Sequence, residues 1–241
     1  MNAIQLNDWE GKPAEITSMG ARARTTADKL QKRRLLLEAA KELFFDRGYQ
    51  NTTVEEITER TGVSTGTFYL YFKSKREIYM ALYADGIDIF HRMAEQAISW
   101  PGMSALARLS AIAHAYYRFY TEYTEYFDIL AFIHLHQEEL KEPSEMGSIL
   151  DQKALRLLKM IETVIKDGVG SGEFAALDTW KATNVLWGVM DGLVVLAERN
   201  NVMVIGVGLE ELIKQALEIV FYGMVRRDAF GQNDSKEESM Q

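Results

Sequence analysis

Residues 52–75 read TTVEEITERTGVSTGTFYLYFKSK, and this stretch decides the fold. Its first part has apolar residues at helical spacing, with Thr53 and Glu56 three positions apart as in a capping box. Gly62 then marks a turn, because glycine adopts the left-handed conformation that other residues disfavour. Two short helices joined by such a turn form a helix-turn-helix, whose second helix enters the major groove of DNA.

The second helix of this motif has a composition that suits contact with DNA. It begins at Ser64 with a turn of small and hydroxyl-bearing residues, which permits a close approach, and free N–H groups at a helix start attract phosphate. Tyrosines and lysines follow, and they offer hydroxyls, flat rings and positive charge. The sequence therefore predicts DNA contacts from Ser64, Thr65, Gly66, Thr67, Tyr69, Tyr71, Lys73 and Lys75. The alternative is a helical hairpin with a merely polar face, since glycine turns between helices are common.

Upstream of the motif, a helix is predicted from about Thr26 to Gly48, which is a good C-cap residue. Residues 1–24 are polar and lack periodicity, so they are predicted to form a flexible arm. We therefore assign residues 25–76 to a three-helix head. The apolar positions of the first predicted helix recur at helical spacing: Leu36, Ala40, Leu43 and Phe44.

Downstream of the motif, helical patterns continue to residue 227. Ser74 and Glu77 have capping-box spacing and start a long helix that ends before Pro101. Asp178 is a further predicted N-cap, and no convincing strand pattern occurs apart from an ambiguous apolar stretch at 202–205. Further helices are predicted at about 103–122, 124–140, 145–168, 178–199 and 206–227.

These segments predict an all-α fold of about nine helices. A helical bundle at residues 77–227 would serve ligand binding and dimerisation, and the polar, acidic residues 228–241 are predicted to be disordered.

Composition narrows the class of protein. The 241 residues contain no cysteine, which excludes disulfides, thiolate zinc sites and cysteine nucleophiles. No apolar run approaches the roughly 20 residues of a membrane span, and no signal pattern opens the chain, so a cytoplasmic protein is expected. The net charge is −8, yet residues 20–80 hold 12 Lys and Arg against 8 Asp and Glu, whereas residues 81–241 hold 14 against 24. Local charge decides where a polyanion binds, and the positive part contains the motif.

The chain resembles the TetR family of bacterial transcriptional regulators over about fifty residues. The shared pattern runs Phe-x-x-x-Gly-Tyr from Phe44 to Tyr49, then Thr-Thr-Val, Gly-Val-Ser and Gly-Thr-Phe-Tyr-x-Tyr-Phe-x-Ser-Lys, with unbroken spacing. The resemblance implies an all-α homodimer, usually of nine helices, in which a recurring DNA-binding head is joined to a diverging body around a small-molecule pocket.

The resemblance also implies roles for individual residues. Thr52 and Thr53 would lie near a phosphate, and Lys75 would hold the DNA backbone. Thr58 and Thr61 depart from the family, which often has alanine there, but their hydroxyls can bond back to a helix carbonyl. The residues implied at the groove are Thr65, Gly66, Thr67, Tyr69 and Tyr71.

Residues 116–127 hold seven aromatic side chains. They indicate either a pocket for an apolar or aromatic effector, or ordinary core packing with surface tyrosines. A histidine would orient the polar end of such a ligand. His134 and Glu138, four apart, could share a metal ion, but neither a metal site nor a cofactor is predicted. The predicted pocket residues are His114, Tyr117, Phe119, Tyr120, Tyr123, Phe127, Phe132 and His134.

The last two long helices have dense apolar faces, which either pack within the monomer or meet a second copy. The family resemblance places a four-helix dimer interface here, and obligate interfaces resemble a core cut in half. The predicted interface residues are Trp187, Met190, Val194, Leu212, Ile213, Ala216 and Val220.

The sequence thus predicts a ligand-responsive transcriptional repressor that binds a palindromic DNA operator as a homodimer. One rival is an enzyme with an accessory DNA-binding head, although no nucleophile motif, phosphate loop or metal cluster supports it. The other rival is a constitutive DNA binder with a purely structural body.

Overall fold

The computed structural model describes residues 14–135, 145–198 and 206–225, which form helices joined by turns. The β contact within these ranges is a single antiparallel bridge between Phe174 and Val225. None of the described helices is both long and apolar enough to cross a membrane. The predicted all-α class with about nine helices is confirmed. In the described ranges the helices are α1 (Ala14–Arg47), α2 (Val54–Thr61), α3 (Thr65–Tyr69), α4 (Lys75–Ala97), α5 (Ala105–Glu122), α6 (Thr124–Leu135), α7 (Glu145–Gly170), α8 (Thr179–Glu198) and α9 (Leu209–Met224).

The start of α1 differs from the prediction. The helix begins at Ala14 and not near Thr26, so residues 14–24 of the predicted arm are helical. The segment lacks an apolar stripe, which is why periodicity alone missed it.

The caps of α2 confirm the predicted capping box. The Thr53 hydroxyl accepts a hydrogen bond from the Glu56 N–H at 3.2 Å, and the Glu56 carboxylate accepts one from the Thr53 N–H at 2.9 Å. Gly62 ends the helix with φ of 68°, the left-handed conformation expected of the turn.

Helix α3 is shorter than the predicted span from Ser64 to Phe72. It ends at Tyr69, and the following residues turn the chain into α4. Ser74 caps α4 as predicted, accepting a hydrogen bond from the Glu77 N–H at 3.1 Å, whereas the Glu77 carboxylate accepts from the Lys73 N–H and leaves the box incomplete.

Helix α4 belongs to both parts of the core. Its first half packs into the head cluster with Phe68 and Phe72, and its second half packs into the body cluster with Phe119 and Leu157. Fully burying one such side chain stabilises the fold by about 1.5–3 kcal/mol. A single continuous helix therefore carries the head on the body.

Helix α6 crosses α4 closely at Gly86. A Cβ on Gly86 would lie 2.5 Å from a terminal methyl group of Leu130, so a larger residue would require the Leu130 side chain to move. On the same side, the buried Tyr79 hydroxyl donates to the Ile129 carbonyl. Lys41 of α1 also pairs with Glu125 of α6 at 3.1 Å, which ties the head to the body.

Candidate DNA interface and effector cavities

The residues from Ser64 to Lys73 place a polar surface on the head. Tyr69 is 53% exposed and Leu70 82% exposed. Phe68 is fully buried and packs α3 into the head core. The Tyr69 ring packs edge-on against Phe68 with centroids 5.4 Å apart, which fixes the direction of its hydroxyl end. Of the predicted DNA-contact residues of α3, Gly66 and Tyr69 are exposed, and Thr65 and Thr67 are half-buried.

Two hydroxyls at the start of α3 are held in position by each other. The Ser64 and Thr67 oxygens lie 2.9 Å apart, and the Ser64 hydroxyl also accepts from the Thr67 N–H. Thr67 is half-buried and Ser64 is exposed. Both hydroxyls have fixed positions before any partner arrives.

Gly66 has no packing reason to be glycine. The nearest heavy atom to a Cβ built on it is the Ser64 hydroxyl oxygen at 3.8 Å, and its backbone is not left-handed. Glycine in a helix is less stable than alanine by about 0.5–1 kcal/mol, and no packing contact within the protein requires glycine at this position. A missing side chain at this exposed point leaves the backbone open to a close approach from outside.

Thr52 differs from its predicted role near a phosphate. Its side chain is fully buried, and the hydroxyl bonds to the carbonyls of Leu43 at 3.3 Å and Gly48 at 3.0 Å. Thr53 is exposed but is used as the N-cap of α2. Tyr71 is half-buried and packs against the head core. Sequence position alone could not separate these inward side chains from their exposed neighbours.

Lys75 is also turned inward. Its ammonium donates to the carbonyls of Tyr49 and Thr52, both at 2.7 Å, and lies 4.4 Å from the centre of the Tyr49 ring. A lysine so placed ties the turn between α1 and α2 to the start of α4. These bonds give Lys75 a role inside the head, whereas the Lys73 side chain is exposed. The contact of Lys75 with the DNA backbone stays a prediction.

Thr58 and Thr61, the two departures from the family pattern, make the predicted hydrogen bonds to carbonyls of their own helix. The Thr58 hydroxyl donates to the Glu55 carbonyl at 2.9 Å, and the Thr61 hydroxyl donates to the Ile57 carbonyl at 3.2 Å. Both side chains satisfy their hydroxyl within their own helix.

Two neighbouring cavities lie in the body. The first, of about 50 Å³, lies among α4, α5, α7, α8 and α9, and the second, of about 40 Å³, lies among α4, α5, α6, α7 and α8. Phe90, Tyr116 and Trp187 line both and so stand between them. The first is also lined by Leu109, Ile112, Ala113, Ile161, Leu186, Met190, Leu217 and Phe221, and the second by Tyr83, Ile87, Phe119, Phe127, Leu130, Ala154, Leu157 and Asp191.

Two of the predicted pocket residues, Phe119 and Phe127, line the second cavity. Tyr120 instead packs edge-on against Phe127, and Tyr123 stacks on Phe119 while remaining 38% exposed. The side chains of Phe132 and His134 lie outside the described part of the chain.

His114 and Tyr117 do not line either cavity. His114 is exposed, with its Nδ1 at 2.8 Å from the Ser110 carbonyl. Tyr117 shares a hydrogen bond with Glu210 of α9. The inward stripe of α5 passes through Ile112, Tyr116 and Phe119, so these two residues fall on the neighbouring faces.

Of the residues predicted for the dimer interface, Trp187 and Met190 line the first cavity. Ile213 is buried within the monomer, and Val220 is half-buried against the body core. Leu212 and Ala216 are half-buried, and the Val194 side chain lies outside the described part. The large apolar side chains that α8 and α9 leave most exposed are Val185 at 57%, Ile219 at 65% and Tyr222 at 75%.

The second cavity contains an acid–phenol pair that sequence reasoning missed. Burial, and then the negative charge of Asp191, raises the pKa of Tyr83 to about 12. Tyr83 therefore stays a neutral phenol at physiological pH. Among the described residues, no three His, Asp or Glu side chains gather as a metal site would require.

Comparison with known proteins follows the same division into head and body. Residues 36–82 match the model of bacterial regulatory proteins of the tetR family, and residues 106–226 match the C-terminal region of QacR-like proteins. The fatty acid metabolism regulator protein of Bacillus subtilis (strain 168) is 26% identical over 157 residues, or 65% of this chain and 78% of that protein. The HTH-type transcriptional repressor KstR2 of Mycolicibacterium smegmatis is 26% identical over 152 residues, or 62% and 71%.

Solved structures share the fold. FadR from Bacillus subtilis, in complex with stearoyl-CoA, matches with a TM-score of 0.64 at 24% identity, over 79% of this chain and 98% of that one. A protein of unknown function from Rhodococcus sp. RHA1 matches with a TM-score of 0.66 at 19% identity, over 80% and 95%.

Proposed function

The chain belongs to the TetR family of bacterial regulatory proteins, and from that premise we propose that it is an effector-controlled transcriptional repressor. It binds a roughly palindromic operator as a homodimer, and a small, mainly apolar molecule in the body cavities changes its affinity for DNA. The observation that supports this proposal most strongly is the exposed surface of α3. There the Ser64 and Thr67 hydroxyls hold each other in position, Tyr69 is exposed, and no packing contact requires glycine at position 66.

The proposed dimer interface is the exposed apolar face of α8 and α9. Val185 and Gly192 of α8, and Ile219 and Tyr222 of α9, share it. A Cβ on Gly192 would have no heavy atom of the monomer within 4 Å, so a second copy can approach the helix closely there. Two heads joined in this way meet two major grooves on one side of the duplex.

The proposed effector site is the pair of body cavities. Each is far smaller than the roughly 300 Å³ of an ordinary ligand pocket, so binding requires the side chains between them to move. Phe90, Tyr116 and Trp187 are those side chains. The relative named for fatty acid metabolism supports an apolar effector.

We propose that α4 and α6 couple effector binding in the body to the position of the head. Phe90 of α4 lines both cavities, and Leu130 of α6 lines the second cavity and touches α4 at Gly86. Expansion of the second cavity would therefore shift α6 against α4 and strain the bond from Tyr79 to the Ile129 carbonyl. The effector acts only through its different affinity for the two arrangements of the heads.

Selection of DNA from a random pool tests the proposal. We expect the full chain to enrich a palindromic sequence, and Tyr69→Ala to lose about 1–3 kcal/mol of discrimination at the base pair that Tyr69 contacts. Trp100→Ala removes a similarly exposed aromatic side chain at the far end of α4 and should change nothing. Equal losses on operator and scrambled duplexes for Tyr69→Ala would contradict its reading role.

A further inference from the structure

The positive charge of the head is concentrated at the start of α1 and not in the DNA-binding motif. Residues 20–80 hold 12 Lys and Arg against 8 Asp and Glu, and six of the basic residues with one of the acidic residues lie in residues 20–34. Residues 35–80 therefore hold six basic residues against seven acidic ones, a net charge of −1. The attraction of the head for a polyanion thus comes from the first part of α1.

Three of the six basic residues after residue 34 have partners within the head. Arg47 lies 2.9 Å from the Glu56 carboxylate, and Arg60 lies 2.8 Å from the Glu42 carboxylate. The Lys75 ammonium donates to backbone carbonyls. Their charge is already compensated, so they add little to the field that a DNA phosphate meets.

The first part of α1 carries lysines on the side that is buried further along the helix. Leu36, Ala40 and Leu43 are buried in the head core and follow each other at steps of four and three. Lys29 and Lys32 lie seven and four residues before Leu36, so helical periodicity places them on the same side. Both lysine side chains are exposed. Where α1 extends beyond the head core, this side thus changes from apolar to basic.

Arg33 shows where this side of α1 meets the surface of α3. Its guanidinium carbon lies 5.2 Å from the centre of the Phe72 ring, and Phe72 directly precedes the exposed Lys73. From this point α1 continues towards its N-terminus for about 30 Å, at roughly 1.5 Å per residue. Lys29, Lys32 and Arg33, which we call the basic stripe, therefore adjoin the α3 surface and extend away from it.

We propose that the basic stripe of α1 binds the sugar-phosphate backbone of the DNA next to the major groove that α3 enters. Charge and position both favour this partner, because a duplex held by α3 brings a dense row of phosphates to the end of the stripe. Such contacts add affinity without sequence preference, whereas contacts of α3 with base edges specify the sequence. This inference rests on the proposed function, because it requires that α3 faces DNA.

The salt dependence of operator binding tests the inference. The double variant Lys29→Ala and Lys32→Ala should bind the selected operator at least tenfold more weakly at physiological salt concentration. Its slope of log affinity against log salt should fall by about 3–4, since each phosphate contact contributes about 0.9 and a dimer carries two copies of each lysine. The loss should be equal on operator and scrambled duplexes, because phosphates carry no sequence information.

Two matched variants separate charge from structure. The double variant Lys29→Arg and Lys32→Arg keeps both charges and should bind as tightly as the unaltered protein. The double variant Lys181→Ala and Lys214→Ala removes two exposed lysines of the body and should leave the salt slope unchanged.

Ethylation interference on the selected operator locates the contacts. We expect ethylated phosphates outside the two major-groove segments to interfere with binding of the unaltered protein. The same phosphates should not interfere with the alanine double variant of the basic stripe. If that variant does not fold, interference with the unaltered protein and with the arginine double variant still decides the question.

The outcomes distinguish this inference from the function on which it rests. An unchanged salt slope in the alanine double variant, or no interference outside the two segments, would overturn the role of the basic stripe alone. Tighter DNA binding by that variant would also overturn it, and would show that the stripe pairs with the acidic residues 81–241 instead. Failure of the unaltered protein to select any operator would overturn the proposed function and this inference together.

Discussion

Two lysines two residues apart in the DNA-binding motif are placed differently in the head. Lys73 is exposed beside the α3 surface, whereas Lys75 points back to the carbonyls of Tyr49 and Thr52. Residue type and spacing predict both as phosphate contacts, because a lysine near a recognition helix suits that role. Only the position of the turn between α1 and α2 shows that one of them has partners within the head.

This difference gives a paired prediction. Lys75→Ala should lower the free energy of unfolding by about 1.5–3 kcal/mol, since it removes charged hydrogen bonds to buried or half-buried carbonyls. Lys73→Ala should leave the melting temperature unchanged and reduce the slope of log affinity against log salt by about 0.9, the effect of one phosphate contact. Thermal melts and operator binding at several salt concentrations check both variants. A Lys75→Ala protein of unchanged stability would contradict the internal role.

Gly66 gives the second prediction at this scale. Gly66→Ala should stabilise the isolated protein by up to about 1 kcal/mol, because no internal atom opposes the methyl group, and it should weaken operator binding at least tenfold. Gly170→Ala, at the end of α7, also meets no neighbour and serves as the matched control with unchanged DNA affinity. Normal operator binding by Gly66→Ala would show that DNA does not approach this point closely.

At the scale of helices, periodicity predicted where most elements lie but not which partner each face contacts. The apolar faces of α8 and α9 were evident, yet Trp187 and Met190 turn to a cavity while Ile219 and Tyr222 are exposed. Apolar residues at helical spacing look alike whether they meet the same chain or another one. The aromatic stretch of α5 was likewise evident from the sequence. Asp191, which lines the second cavity, lies on α8, far along the chain, and no local sequence pattern predicted its position there.

The proposed dimer interface gives a prediction for α9. The double variant Ile219→Glu and Tyr222→Glu should yield a folded monomer, since both side chains are exposed in one copy and would be buried in the dimer. The single variant Val220→Glu should instead unfold the protein, because Val220 packs against the body core.

Light scattering and circular dichroism together check these variants. Trp100→Glu, with the same 75% exposure as Tyr222, is the matched control and should remain dimeric. A stable dimer of the double variant would place the interface elsewhere.

The junction of α7 and α8 gives a prediction about pH. Lys159 at 2.8 Å and Lys166 at 3.0 Å hold the pKa of the Glu162 carboxyl at about 2, well below its usual range, and Thr179 of α8 donates to the same group. A depressed pKa stabilises the fold above the usual pKa near 4.3, and this contribution is lost as the pH falls toward 2.

Glu162→Gln should therefore lower the melting temperature by a few degrees at pH 7, and the difference from the unaltered protein should shrink as the pH falls from 5 to 2. Asp151→Asn, which changes an exposed carboxylate, should show no such trend. Melting curves across this range give the comparison. A difference that stays constant with pH would exclude the charge of Glu162 as its cause.

At the scale of the whole molecule, charge and connectivity favour one orientation on DNA. Residues 20–80 are net positive and residues 81–241 are net negative, so the body is repelled by the duplex while the head is attracted. The continuous helix α4 joins the two parts and lines both cavities. No flexible linker therefore separates the head from the first helix of the body.

The most direct test of sequence-specific binding by a dimer is a methylation-protection footprint on the selected operator. We expect guanine N7 atoms to be protected in two symmetric major-groove segments on one face of the duplex, one helical turn of about 34–36 Å or a multiple of it apart. The same footprint with Tyr69→Ala should lose both segments together. Protection of a single segment, or protection confined to the minor groove, would contradict the account.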